Sequence, residues 1–226
     1  MSDARVTLWS WVVWSGVAVI LLTIVIAQVF PKTGGDFAPG YAVPVYAFEF
    51  ARSKEDLPLV FGEKNDLERP ARVRQMDRGN YWDFAFMTAY AAFLACFFWS
   101  AARATGRRNW RIVALLVGLS GPCDAIENAI LLSITRDLDT AAGLPWLWLP
   151  VTLKFSLLLF GAAAAGCFFW RHATGVWRRL GHGLIVLALI GVAGLIVPER
   201  FAYLLAVCIA PAWLAQFVFA WRQRGQ

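Results

Sequence analysis

Charge is scarce in this chain: only 16% of its 226 residues are Asp, Glu, Lys or Arg, against about 25% in a typical globular protein. Hydrophobic residues make up 59%. With uninterrupted apolar runs and no low-complexity tract, that balance excludes a disordered, fibrous or secreted disulfide-rich protein and argues against an ordinary soluble enzyme. Cysteine and histidine are scarce too. Cys96, Cys123, Cys167 and Cys208 all lie inside apolar runs without Cys-x-x-Cys spacing, so neither a disulfide framework nor a zinc site is indicated. His172 and His182 flank one short basic loop, too few ligands for metal or haem chemistry. No cofactor and no metal are expected. Nor does the formal net charge of +6 point to nucleic acid, because the basic residues sit at the ends of apolar runs, where they set membrane orientation.

What is present are six apolar stretches near the roughly 20 residues that a membrane crossing needs: 7–30, 81–103, 111–134, 146–170, 180–197 and 201–221. They predict an all-α, polytopic protein, a single membrane domain over 1–226 built as a six-transmembrane-helix bundle. A 49-residue outer loop, 31–79, joins the first two spans. The run Val6–Val29 carries no charge; it exceeds a signal-peptide core and lacks a small-residue cleavage pattern, so it is expected to stay as a helix. The fifth span is short and holds Gly183, Gly191 and Gly194, and Pro198-Glu199-Arg200 turns it into the sixth as a tight helical hairpin. No internal repeat is evident, which removes support for an inverted-repeat transporter.

Orientation follows from Lys and Arg in the connections. Arg5, Arg103, Arg107, Arg108, Arg111, Arg171, Arg178, Arg179, Arg222 and Arg224 gather on one side with a single acid, Asp3. The other side has Arg136 and Arg200 in its short connections, and eight basic and eight acidic residues in loop 31–79. Raw basic counts tie, but density in the short connections favours cytoplasmic N- and C-termini in a cell inner membrane, with the long loop outside; Arg69, Arg72, Arg74 and Arg78 count against it. Trp82, Trp146 and Trp148 fall at predicted outer ends and Trp9, Trp11, Trp99, Trp110, Trp170, Trp177 and Trp221 at inner ones, as rings favouring the headgroup zone should. Trp14 and Trp213 lie deeper and read as packing residues.

The loop opens with turn formers, Pro31, Gly34-Gly35 and Pro39-Gly40, and Tyr41–Phe50 alternates aromatic with small residues, as in a short interfacial helix or strand. Asn65–Arg78 reads as a helical turn capped by Asn65 or Asp66, with Pro70 near its start. The loop is either a functional lid or a solvated cap.

Four ionisable residues fall within the predicted spans: Asp83, Asp124, Glu127 and Lys154. Each costs about 2.5–3.5 kcal/mol at mid-bilayer if unpaired, so pairing or contact with water is expected. At about 1.5 Å per residue, Glu127 lies roughly 11 Å below the outer end of its span, Asp124 roughly 15 Å, and Lys154 roughly 12 Å below the start of the next. Lys154 should therefore meet one of these carboxylates. Asp124, Glu127 and Asn128 are spaced i, i+3 and i+4, which puts two acids and an amide on one helical face. Pro122 removes a backbone donor one turn earlier and should kink the helix. Asp83 is either the upper wall of the cluster or an interfacial acid. For Thr88, Tyr90, Ser156 and Gln216, packing or interhelical hydrogen bonding suffices. Gly161-Ala-Ala-Ala-Ala-Gly166 reads as a face for close helix approach.

Three functions remain open. Asp83, Asp124, Glu127, Asn128 and Lys154 form a candidate site for a small cation, a proton or a polar lipid headgroup in a small transporter or ligand-binding membrane protein. Alternatively, a buried Glu127–Lys154 bridge fixes helix register in an accessory or assembly subunit. In a lipid-modifying enzyme, Asp124 or Glu127 would act as general acid or base, but no nucleophile motif accompanies them. Expected partners are membrane lipid and the ligand itself, with a homo-oligomer or larger membrane complex left open. Three acids against one base leave at least one carboxylate to be protonated, hydrated or ligand-bound.

Overall fold

A chain this apolar satisfies its backbone most simply by closing every peptide group into helices, and punctuation by proline and glycine decides where they stop. The computed structural model describes residues 2–224, with side chains described from Trp9 to Arg224. Among the described residues it is all-helical, with no strand. The elements are α1 (Ser2–Val29), a 3-10 turn (Pro39–Tyr41), α2 (Pro44–Glu49), α3 (Asp56–Phe61), α4 (Arg69–Thr105), α5 (Asn109–Gly118), α6 (Ser120–Arg136), α7 (Leu144–His172), α8 (Val176–Ile196), α9 (Pro198–Phe201) and α10 (Tyr203–Arg224). Six helices, with α5 and α6 taken as one broken unit, are long and apolar enough to cross a membrane, consistent with a multi-pass membrane protein.

Two boundaries differ from those the sequence predicts. The second long helix begins at Arg69, twelve residues earlier than expected, so residues 69–79 belong to it and the connection between α1 and α4 is residues 30–68. Arg, Ala, Gln and Met in 69–76 favour helix, and Pro70 stands in the first turn, where its missing N–H costs nothing. Asp66 caps no helix; its Oδ1 accepts the Glu68 N–H at 2.8 Å, closing the turn before α4. At about 1.5 Å per residue the 37 residues of α4 extend about 55 Å, beyond a hydrocarbon core of about 30 Å. The third span breaks at Leu119 into α5 and α6. Pro122 is the cause: it has no N–H for the Gly118 carbonyl, and its ring crowds that same oxygen.

The long helices close into a ring: α1 packs on α4, α4 on α5 and α6, α6 on α7, α7 on α8, α8 on α10, and α10 back on α1. The small-residue face on α7 is used. Gly166 and Gly181 lie so close that a Cβ on either would sit 2.6 Å from the other's carbonyl oxygen, which lets the α7 and α8 backbones touch. One end of the bundle carries the 30–68 connection, seated on its neighbours: Gly40 lies against the backbone of Glu199 and Arg200, and Lys64 pairs with Asp139 at 2.7 Å. At the opposite, arginine-rich end, Trp9, Phe97, Phe98, Trp110, Phe168 and Phe219 interlock edge to face. Trp9 and Trp110 are thus buried among these rings. Trp14, read as a packing residue, is instead exposed, with the Arg224 guanidinium 5.5 Å above its ring.

Candidate functional site

Restarting the helix at Ser120 turns one face of α6 inward: Ser120, Gly121, Asp124, Glu127, Asn128 and Leu131 are all buried. Asp124 and Glu127 therefore point into the bundle, where α7 supplies Lys154 one turn after the internal Pro150. The Lys154 ammonium donates to Glu127 Oε1 at 2.7 Å, to Glu49 Oε1 at 3.2 Å and to Asp124 Oδ1 at 3.3 Å. An ammonium has three N–H donors, and three carboxylates take them. The Phe155 ring lies 4.5 Å from the same nitrogen, adding a cation–π contact. Burial is close to complete: Glu127 is 0% exposed, Asp124 3% and Lys154 4%.

The second layer reaches toward the loop-bearing end. Asn128 Nδ2 donates to Asp83 Oδ2 at 2.7 Å and to the Asn80 carbonyl at 3.4 Å. Asp83 is thereby tied to the helix face that carries Glu127, although it makes no direct contact with Lys154. Tyr90 on α4 donates its hydroxyl to Asp124 Oδ2 at 2.7 Å. The five residues singled out from the sequence fall into two bonded groups that meet on the inward face of α6, Asp124 and Glu127 with Lys154, and Asn128 with Asp83; Lys154 lies within reach of both acids, as the depth arithmetic expects. Tyr90 makes an interhelical hydrogen bond as expected; Thr88 does not, bonding instead to the Phe84 carbonyl of its own helix at 2.8 Å.

Glu49 escaped sequence reasoning. It sits at the end of α2, in the connection counted as charge-balanced and external. A signal was present: from residue 37 to 51 it is the one charge in an aromatic and small-residue stretch. Aromatic packing brings it in, with Tyr46 edge-on to Phe155 at 6.1 Å, Phe50 stacked on Phe155 at 5.9 Å and Phe48 against Phe61 at 4.9 Å. The short helix is thus a stopper, aromatic on its sides and acidic at its tip. Burial pushes the Glu49 carboxyl above the usual glutamate range, against the pull of Lys154. The Tyr46 phenol beside it is raised as well, first by burial and then by the Glu49 charge.

The network is not saturated. Glu49 Oε2, Glu127 Oε2 and both side-chain amide atoms of Asn80 are buried without a hydrogen-bond partner, where such groups ordinarily find one or a water. Among the described residues, no three His, Cys, Asp or Glu side chains converge with the geometry of a metal site; the carboxylates converge on an ammonium instead. Comparison of the chain with models of known families, with curated proteins and with solved structures finds no match.

Proposed function

We propose that this chain is a small integral membrane transporter or ligand-binding protein whose carboxylate–lysine cluster takes up a proton, reached from the end that carries the 30–68 connection, with α2 as its lid. The observation that supports this reading is the charge count: Glu49, Asp124 and Glu127 share a single ammonium, Lys154, and Asp83 stands nearby on Asn128 with no cation of its own among the described residues. One ammonium offsets one carboxylate. In a low-dielectric setting the remaining acids need protons or a further cation. Of the ligands the sequence leaves open, the proton fits best, because Glu127 and Lys154 are enclosed and the partnerless oxygens leave places for a proton or a water. A small cation or cationic headgroup would have to displace Lys154 or lift α2. The density of basic residues in its short connections supports a cytoplasmic position for the arginine-rich end, with both termini on that side of a cell inner membrane and the lid outside.

A second reading, an accessory subunit held in register by a structural bridge, draws on the direct 2.7 Å contact between Lys154 and Glu127 and on their burial. Proton flux separates the two. In liposomes holding the protein and a trapped pH dye, the wild type should carry protons down an imposed gradient, and Asp124→Asn should be silent while melting near the wild type. A wild type no faster than empty liposomes, or an Asp124→Asn protein at full rate, sinks the proton reading.

A further inference from the structure

The opposite end of the bundle holds a hollow that the carboxylate cluster does not use. Its volume is about 650 Å³, and it opens between α1, α4, α7, α8 and α10. The floor is aromatic, with Trp9, Phe168, Trp177 and Phe219; the rim is polar, with Arg107, His172 and Arg222. No carboxylate lines it among the described residues. Neither guanidinium has an ion-pair partner among the described residues; that of Arg222 rests 5.6 Å above the Trp177 ring instead. His172 Nε2 is buried with no hydrogen-bond partner among the described residues. Arg107 also borders a neighbouring hollow of about 310 Å³ that it shares with Arg103, Arg108 and Arg111.

Unpaired guanidiniums above an apolar floor suit one kind of ligand. The anion must accept several N–H bonds in a fork, which is phosphate chemistry, and part of the ligand must be apolar to cover four aromatic rings. We infer that this hollow is a binding site for a phosphate-bearing anion, held by Arg107, Arg222 and His172, with the phosphate headgroup of an anionic lipid as its natural form. Basic pockets between membrane helices recognise such headgroups in this way. The orientation proposed above would set the hollow in the cytoplasmic leaflet, but the site stands on its own residues.

Purified full-length protein in uncharged detergent, titrated with short-chain phosphatidic acid, with phosphatidylcholine of the same chain length and with inorganic phosphate, tests this. The readouts are the melting temperature and tryptophan fluorescence, since Trp9 and Trp177 line the hollow. Phosphatidic acid should raise the melting temperature and change the fluorescence, and phosphatidylcholine should do neither. Removing each guanidinium, in Arg107→Gln and in Arg222→Gln, should weaken binding about tenfold or more. Arg178→Gln with Arg179→Gln removes twice the charge of either pocket variant, but outside the hollow, and should bind as the wild type does. A response to inorganic phosphate alone would identify a soluble phosphate as the ligand of the same site. The proposal is overturned if neither phosphate compound acts, if phosphatidylcholine acts equally, or if the two pocket variants bind like the wild type.

Discussion

Lys154 and Glu49 are 105 positions apart in the chain and meet at 3.2 Å. The contact joins a buried residue of α7 to the tip of a short helix in the longest connection, so that connection is part of the site. Lys154 of α7 is held by three carboxylates from two elements, Glu49 of α2 and Asp124 and Glu127 of α6.

Removing that ammonium should be costly. Lys154→Met leaves three buried carboxylates without their cation and is expected to destabilise by about 3–5 kcal/mol. Adding Glu127→Gln should recover only part of the loss, because Glu49 and Asp124 remain, and adding Glu49→Gln as well should recover more. Thermal unfolding in detergent across the series checks the order.

Stability should also depend on pH through the lid. Burial raises the Glu49 carboxyl above its ordinary value of 4.5. A carboxyl raised in the folded state contributes stability that is complete below the unfolded value and is lost as pH rises through the folded one. Measured against Glu49→Gln, the wild type should therefore lose relative melting temperature from pH 4.5 upward. A difference independent of pH would count against a buried Glu49.

The 30–68 connection that carries α2 is fastened at its far end by Arg72, whose guanidinium donates to the Phe61 carbonyl at 3.1 Å and to Asp66 Oδ2 at 2.6 Å. Gly62 turns the chain between them at φ 92°, a conformation that favours glycine. The Glu68 N–H, and then Arg72, hold the Asp66 carboxyl below its ordinary value of 3.8, so its contribution is present above that value and lost as pH falls through the lowered one. Asp66→Asn and Arg72→Gln should each speed hydrogen exchange in residues 56–68 at neutral pH while leaving α6 and α7 protected. Unchanged exchange would show that aromatic packing alone holds the segment.

The six long helices were legible because apolar length is a property of the sequence by itself, and the inward face of α6 because i, i+3 and i+4 spacing fixes what shares a face. The Lys154 pairing followed from depth, since adjacent antiparallel helices bring equal depths together. Three things were not legible. The α4 helix continues past its apolar stretch because its start is set by local propensity, not by hydropathy. Trp14 lies on a helix apolar all round, where periodicity does not choose a face. Glu49 is invisible to any span-based count: its position depends on aromatic contacts with Phe155, more than a hundred residues away.

On the proposed reading the cluster holds more acid than one lysine can neutralise and stores the excess as protons. Infrared spectra of the full-length protein at neutral pH test it most directly, by the carbonyl band that a protonated carboxyl shows and a carboxylate does not. Such a band is expected in the wild type, shifted on transfer to heavy water and diminished by replacing the acids of the cluster, Glu49→Gln first among them. A wild-type spectrum without the band, or a band unchanged when Glu49, Asp124, Glu127 and Asp83 are all replaced, would contradict it.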